Sequence, residues 1–177
     1  MFLECTLQTN KKKYKVQHVE YISAYSFEQV IANFEGLVGN VENGSLRQVV
    51  VTAKTQEEFE IGVHALEGKS GFLQFLLINH GAYLPRFDIV GKKVRMYTVG
   101  NPLIAVTMIK HDLAAALNVP VRLVIYENTA DNTVRLAYDL PSSLMSQLQN
   151  KEVTSATKVL DAKLQDLCER ATGASPQ

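Results

Sequence analysis

An imidazole at the end of a buried strand is the group best placed for chemistry in this chain. The run from Phe72 to Ile78 is too short and too apolar for anything but an interior strand, and it exits into Asn79-His80-Gly81. Histidine titrates near neutrality and serves as acid or base, while the glycine lets a ligand approach the backbone. Spacing assigns His80 neither a nucleophile nor an orienting carboxylate, so a turn histidine bonded to loop carbonyls is the competing reading.

A second junction is Gly100-Asn101-Pro102, where glycine turns the chain, asparagine caps and proline occupies the first helical position. The free N–H groups of such a helix start can hold a carboxylate or phosphate. Neither Gly-x-Gly-x-x-Gly nor a complete Gly-x-x-x-x-Gly-Lys-Ser/Thr loop occurs, which disfavours nucleotide binding of those types. Met108 and His111, three apart, would share a helix face, but a core methionine beside a surface histidine explains them equally well, and no metal site is expected. Tyr138, Asp139, Ser142 and Ser143 can line a polar wall, although no Gly-x-Ser-x-Gly elbow surrounds the serines. His18 joins no set.

The elements that must position these residues follow from periodicity. A strand over Lys15 to Ala24 leads to a Ser26 capping box and a helix with Phe27, Val30, Ile31 and Phe34 inward. Residues 39 to 45 read as loop and Val49-Val50-Val51 as a buried strand, followed by a helix capped by Thr55. Strands are expected near 47–53, 72–79, 94–99, 121–127 and 133–138, the last two forming a hairpin. A long, largely buried helix is expected from Pro102 to about Leu117. The last helix carries Leu160 and Leu164 on a stripe that must cover the sheet or a second subunit. The approximately fifteen residues between Ile78 and Val94 allow the strands they join to run parallel, which would bring His80 and Asn101 to one pocket.

Composition bounds the rest. Lys plus Arg and Asp plus Glu are 18 each, so there is no overall field for nucleic acid or anionic membrane. The basic run at residues 11–15 reads as a flexible arm over 1–14, before one α+β domain over 15–171 and a disordered tail over 172–177. Cys5 and Cys168 have no partner at metal or redox spacing, and no apolar run reaches membrane length, so the expected address is cytoplasmic.

Several motifs recur in a fixed order: Gly71-Phe72-Leu73, Ile78-Asn79-His80-Gly81-Ala82, Val99-Gly100-Asn101-Pro102-Leu103-Ile104, His111-Asp112, Val121 to Glu127, and Tyr138 to Leu144. Together they resemble the domain of unknown function 302 family, most strongly over about residues 71 to 145. The resemblance implies a compact α+β fold with helices against a largely antiparallel sheet, and self-association, but no established activity. Asn79 stands where an aspartate commonly precedes the histidine, so an Asp-His relay does not carry over.

The expectation is therefore a single α+β domain with a mostly antiparallel sheet of about five strands. The leading functional reading is a homodimeric module binding a small anionic ligand through His80, Gly81, Asn101, His111 and Tyr138, with no cofactor, nucleic acid or membrane partner. The alternative is an enzyme with His80 as acid or base and an anion site at Gly100-Asn101-Pro102; the third is a structural or interaction protein.

Overall fold

The structure, a computed structural model, describes residues 9–174. Its centre is one six-stranded sheet built from β1 (His18–Ser23), β2 (Gly39–Asn40), β3 (Leu73–Asn79), β4 (Val94–Gly100), β5 (Val121–Asn128) and β6 (Thr133–Asp139), in the order β1-β6-β5-β4-β3-β2. Every neighbouring pair is antiparallel except β2 with β3. The α+β, largely antiparallel architecture is the one expected, with one strand more. Helices are α1 (Phe27–Glu35), α2 (Ser45–Thr52), α3 (Gln56–His64), α4 (Pro102–Ile109), α5 (Pro141–Met145) and α6 (Lys151–Thr172).

Strand alternation sends Tyr97, Val99, Leu123, Ile125, Leu136 and Tyr138 to one face, where α1 and α6 cover them. The stripe of α1 places Val30 and Phe34 there, with the Phe34 ring 4.8 Å from that of Tyr97. Ser26 caps α1 by accepting from the Gln29 N–H, and Thr55 caps α3 by accepting from the Glu58 N–H. Leu160 and Leu164 are fully enclosed within their own chain, so their stripe is no argument for a second subunit.

Three expectations are corrected. Residues 45–52, containing the predicted strand 47–53, are helical: Val50 and Val51 face solvent, and only Leu46 and Val49, three apart, turn toward a small cluster with Val63 and Leu73. The sheet edge that strand would have occupied belongs instead to Gly39–Asn40, read from sequence as loop. The helix begun at Pro102 stops at Ile109, and Asp112 starts a separate 3-10 turn, Leu113–Asn118, by accepting from the Ala114 N–H at 2.9 Å. Leu113 and Leu117 are 79% and 84% exposed, so this stretch is not a buried central helix. Residues 1–8 of the expected arm, Cys5 among them, and 175–177 of the tail lie outside the described residues; Cys168 is buried in the core.

Candidate functional site

The uncovered face of the sheet carries the side chains able to do chemistry. Strand register arranges them in rows across β1, β6, β5, β4 and β3. One row is His18, Asp139, Arg122, Thr98 and Leu76; the next is Glu20, Ala137, Val124, Met96 and Ile78; the third begins Ile22, Arg135, Tyr126 and Val94. Ile22 at 55% and Leu76 at 43% exposure mark this face as open at those positions, while Leu73 at the start of β3 is enclosed by side chains of α2 and α3. Right-handed strand twist makes an open sheet a saddle, and a hollow of about 410 Å³ runs across it from His80 past Met96 and Val124 to Arg122, Asp139 and His18.

At one end of the hollow the Asp139 carboxylate meets the His18 Nδ1 at 2.9 Å. Arg122 occupies the neighbouring strand in the same row, and among the described residues its guanidinium forms no ion pair or hydrogen bond. At the other end the His80 Nδ1 is bonded to the Tyr83 hydroxyl, the two rings edge to face at 5.5 Å. Met96, Val124 and Ala137 form an apolar floor between them. Anion-binding donors and orientable imidazoles thus flank a surface suited to an apolar body.

Beside the hollow, Arg135 bonds to Glu20 and Asp131, and the Tyr126 hydroxyl donates to Glu20 at 2.7 Å. That hydroxyl first, and then Arg135, hold the Glu20 carboxyl below its ordinary 4.5 despite the opposing effect of burial. A carboxyl with a depressed folded-state value stabilises the fold above its ordinary value, and the contribution disappears as pH falls through the depressed one. The melting-temperature gap between wild type and Glu20→Gln is therefore expected to be widest at neutral pH and to close on acidification through and below the ordinary carboxylate range. A gap unchanged by pH in thermal melts would refute this.

The five residues expected to share a pocket are dispersed. His80 and Tyr138 both border the hollow, but the Tyr138 side chain is buried on the covered face, its ring 6.4 Å from that of Tyr21, and burial pushes its phenol far above the ordinary range. Asn101 lies at the opposite end of the sheet from His80, because β3 and β4 pair antiparallel with Asn79 beside Arg95 and Leu73 beside Gly100. Six residues at roughly 3.3 Å each separate the two by about 20 Å, which removes the shared site. The long connection after β3 is taken up by two 3-10 turns, His80–Ala82 and Leu84–Phe87, rather than by a parallel return.

Asn101 is also fully engaged. Its side chain accepts from the Leu103 N–H at 2.8 Å and donates to the Glu67 carboxylate at 2.6 Å and to the Gly71 carbonyl at 2.8 Å. It borders a separate, mainly apolar cavity of about 160 Å³ between α4, the start of β5 and Leu160 of α6. His111 is exposed beside Lys110 and Lys151, whereas Met108 is wholly buried, so these two do not converge. Gly81 borders another hollow, with Lys92 and Arg95. Ser143 is spent within the fold, accepting from the Gln17 N–H and donating to the Leu140 carbonyl. Gly68-Lys69-Ser70 spells the end of a phosphate loop, but Val63 stands where its first glycine belongs and the Ser70 hydroxyl donates to the Leu37 carbonyl.

Sequence reasoning missed His18 and Arg122. His18 sits 121 positions from Asp139, and only the β1–β6 register brings them together. The signal available was alternation: in Val121 to Tyr126, Arg122 is the polar member of an otherwise apolar face, which marks a side turned toward something other than the core.

The architecture is that of a one-sheet α+β domain in which α1 and α6 cover one face and a polar-rimmed hollow opens on the other. The sequence profile of the family described as Domain of unknown function DUF302 matches residues 47–171, and the chain belongs to that family. The fold is similar to the crystal structure of uncharacterized conserved protein DUF302 from Bacillus stearothermophilus, at TM-score 0.61 and 15% identity, covering 87% of this chain and 97% of that one. A search of curated proteins finds no match. No helix among the described residues is long and apolar enough to cross a membrane.

Proposed function

We propose that the protein binds a small molecule with one anionic group and an apolar body in the hollow on the open sheet face. The observation that carries this reading is Arg122, without an ion pair or hydrogen bond among the described residues, beside the His18–Asp139 pair at the end of an apolar floor formed by Met96 and Val124. A guanidinium left free beside an apolar surface suits a carboxylate or phosphate better than a neutral ligand, since the charge-assisted bond adds to burial of the body. An anion would accept from the His18 Nε2 only when the imidazole, its Nδ1–H directed at Asp139, also carries a proton there. His80 and Tyr83 close the far end.

Octanoate, followed by calorimetry and by amide chemical shifts, tests the idea. Binding is expected to perturb residues of β4, β5 and β6, and Arg122→Gln is expected to weaken it at least about tenfold, the loss of one charged hydrogen bond. Octanoate binding equally to wild type and Arg122→Gln, or shifts confined to another region, would overturn it. The His18–Asp139 pair also favours a second reading, in which His18 rather than His80 is an acid or base toward such a ligand. In that case His18→Gln would leave binding intact and abolish turnover.

A further inference from the structure

We propose that the ligand of the open hollow carries a hydroxyl at the end of its apolar body remote from the anionic group, the class of a medium-chain ω-hydroxycarboxylate. This rests on the binding site proposed above and adds the chemistry of its second end. Strand register lays the two ends out. Arg122 pairs with Thr98 and Val124 with Met96, while Asn79 pairs with Arg95, so His80, one residue further, stands at about the level of Val94. Met96 therefore lies midway on the diagonal from His80 to Arg122, two residues along the strands and one strand across from each. At about 3.3 Å per residue and about 4.8 Å per strand, the α-carbons of Arg122 and His80 are roughly 16 Å apart. Side chains stand roughly perpendicular to a sheet, so their heads are separated by a similar distance. An extended chain of eight carbons is about 9 Å long by ordinary carbon–carbon geometry, and a hydrogen bond of about 2.9 Å at each end brings the span to about 15 Å. Such a chain joins the two groups across Met96 and Val124.

The far end suits a hydroxyl better than a methyl. The Tyr83 hydroxyl bonds the His80 Nδ1, which fixes the ring by one nitrogen, and among the described residues nothing bonds its Nε2. Where the phenol donates to Nδ1, Nε2 carries the ring hydrogen and is a donor; where Nδ1 donates to the phenol, Nε2 is an acceptor. A hydroxyl both donates and accepts, so it meets either form. A second carboxylate meets only the first, and a methyl meets neither. An apolar tail end laid there would shut the imidazole nitrogen off from water without a partner, a cost that a hydroxyl removes. At the Arg122 end the requirement is different: a guanidinium only donates, so a group that only accepts fits it. The two ends thus set the direction in which the ligand lies as well as its length.

Calorimetry on the full chain with octanoate, 8-hydroxyoctanoate and 3-hydroxyoctanoate tests this. Wild type is expected to bind 8-hydroxyoctanoate about fivefold more tightly than octanoate, the gain from one neutral hydrogen bond. 3-Hydroxyoctanoate, whose hydroxyl lies beside the head group, is expected to bind no more tightly than octanoate. His80→Phe keeps a ring at that position and is expected to abolish the preference for 8-hydroxyoctanoate. Should that variant fail to fold, Tyr83→Phe, which removes the hydroxyl of a residue 41% exposed, is expected to reduce the preference at least about twofold. Equal binding of octanoate and 8-hydroxyoctanoate, equal gain from the hydroxyl at either position, or a preference kept in full by whichever variant folds, overturns the proposal. If the two acids bind equally but both weaken in Arg122→Gln, the anion site stands and only its second end is refuted. Binding of neither acid overturns both readings.

Discussion

Gly68→Ala is expected to destabilise the protein by about 3 kcal/mol or more, enough to lower its melting temperature by roughly 10 °C or to deplete the soluble fraction. A β-carbon at position 68 would lie 2.3 Å from the Leu37 carbonyl oxygen, 2.4 Å from the Val38 carbonyl carbon and 2.5 Å from the Gly39 nitrogen. All three are backbone atoms, so no rotamer relieves the clash. The contact is reciprocal, since a β-carbon at Gly39 would lie 1.9 Å from the Leu66 carbonyl oxygen. Here the connection between α3 and β3 crosses the start of β2, the Gly39 and Gly68 N–H groups both donating to the Phe72 carbonyl at 2.9 and 3.2 Å. Separating the two segments would therefore take the parallel β2–β3 pair with it. Gly36→Ala is the control: its β-carbon would meet nothing closer than 3.1 Å in an ordinary helical conformation, and a change under about 1 kcal/mol is expected. Equal melting temperatures for Gly68→Ala and wild type would show that the crossing is looser than described.

Asn101→Leu is expected to cost about 3 kcal/mol, lowering the melting temperature by roughly 6–12 °C for a chain of this size. The residue is buried, and its amide serves three groups at once: the Leu103 N–H, the Glu67 carboxylate and the Gly71 carbonyl. Loss of a helix cap alone costs about 1 kcal/mol, and the remainder comes from stranding two acceptors in a partly buried setting. Asn101→Asp separates the contributions. The aspartate retains the cap to Leu103 but sets a second carboxylate against Glu67, so this variant is expected to be destabilised at neutral pH and to recover as either carboxyl is protonated. If Asn101→Asp melted at the wild-type temperature at neutral pH, the contact with Glu67 would have no energetic weight.

Both results concern positions that local pattern identified for other reasons. Asn101 was legible as the cap of α4, which the structure bears out, whereas the helix whose end was expected near Gly68 stops at His64. What neither position disclosed was its second attachment: Gly68 to a segment 30 residues earlier, and Asn101 to the end of that same connection. Local rules describe what a residue does for its own element, whereas backbone crossings and buried bridges depend on which elements become neighbours.

The same boundary explains the misread elements. Val49-Val50-Val51 has strand-forming side chains, and β propensity expresses how well a residue fits a half-buried pleated surface. With the place beside β3 taken by Gly39–Asn40, that surface was not available, and the segment closed its backbone bonds as a helix. The stripe of α6 placed Leu160 and Leu164 inward, as the structure has them, yet amphipathicity specifies a buried face without naming what buries it.

By itself the sequence determined the α+β class, four of the five strands it placed from 47 onward, the β5–β6 hairpin, the caps of α1, α3 and α4, and the family likeness later matched over residues 47–171. These depend on turn chemistry, capping and alternation, all expressed within about a dozen residues of chain. Only the tertiary structure decided the site. The antiparallel β3–β4 pairing sent His80 and Asn101 to opposite ends of the sheet, and the β1–β6 register set His18 against Asp139 in the row that also holds Arg122. Register and strand order are set by long-range burial of one whole sheet face against α1 and α6. The groups left on the other face are brought together by that choice, and no spacing along the chain encodes it.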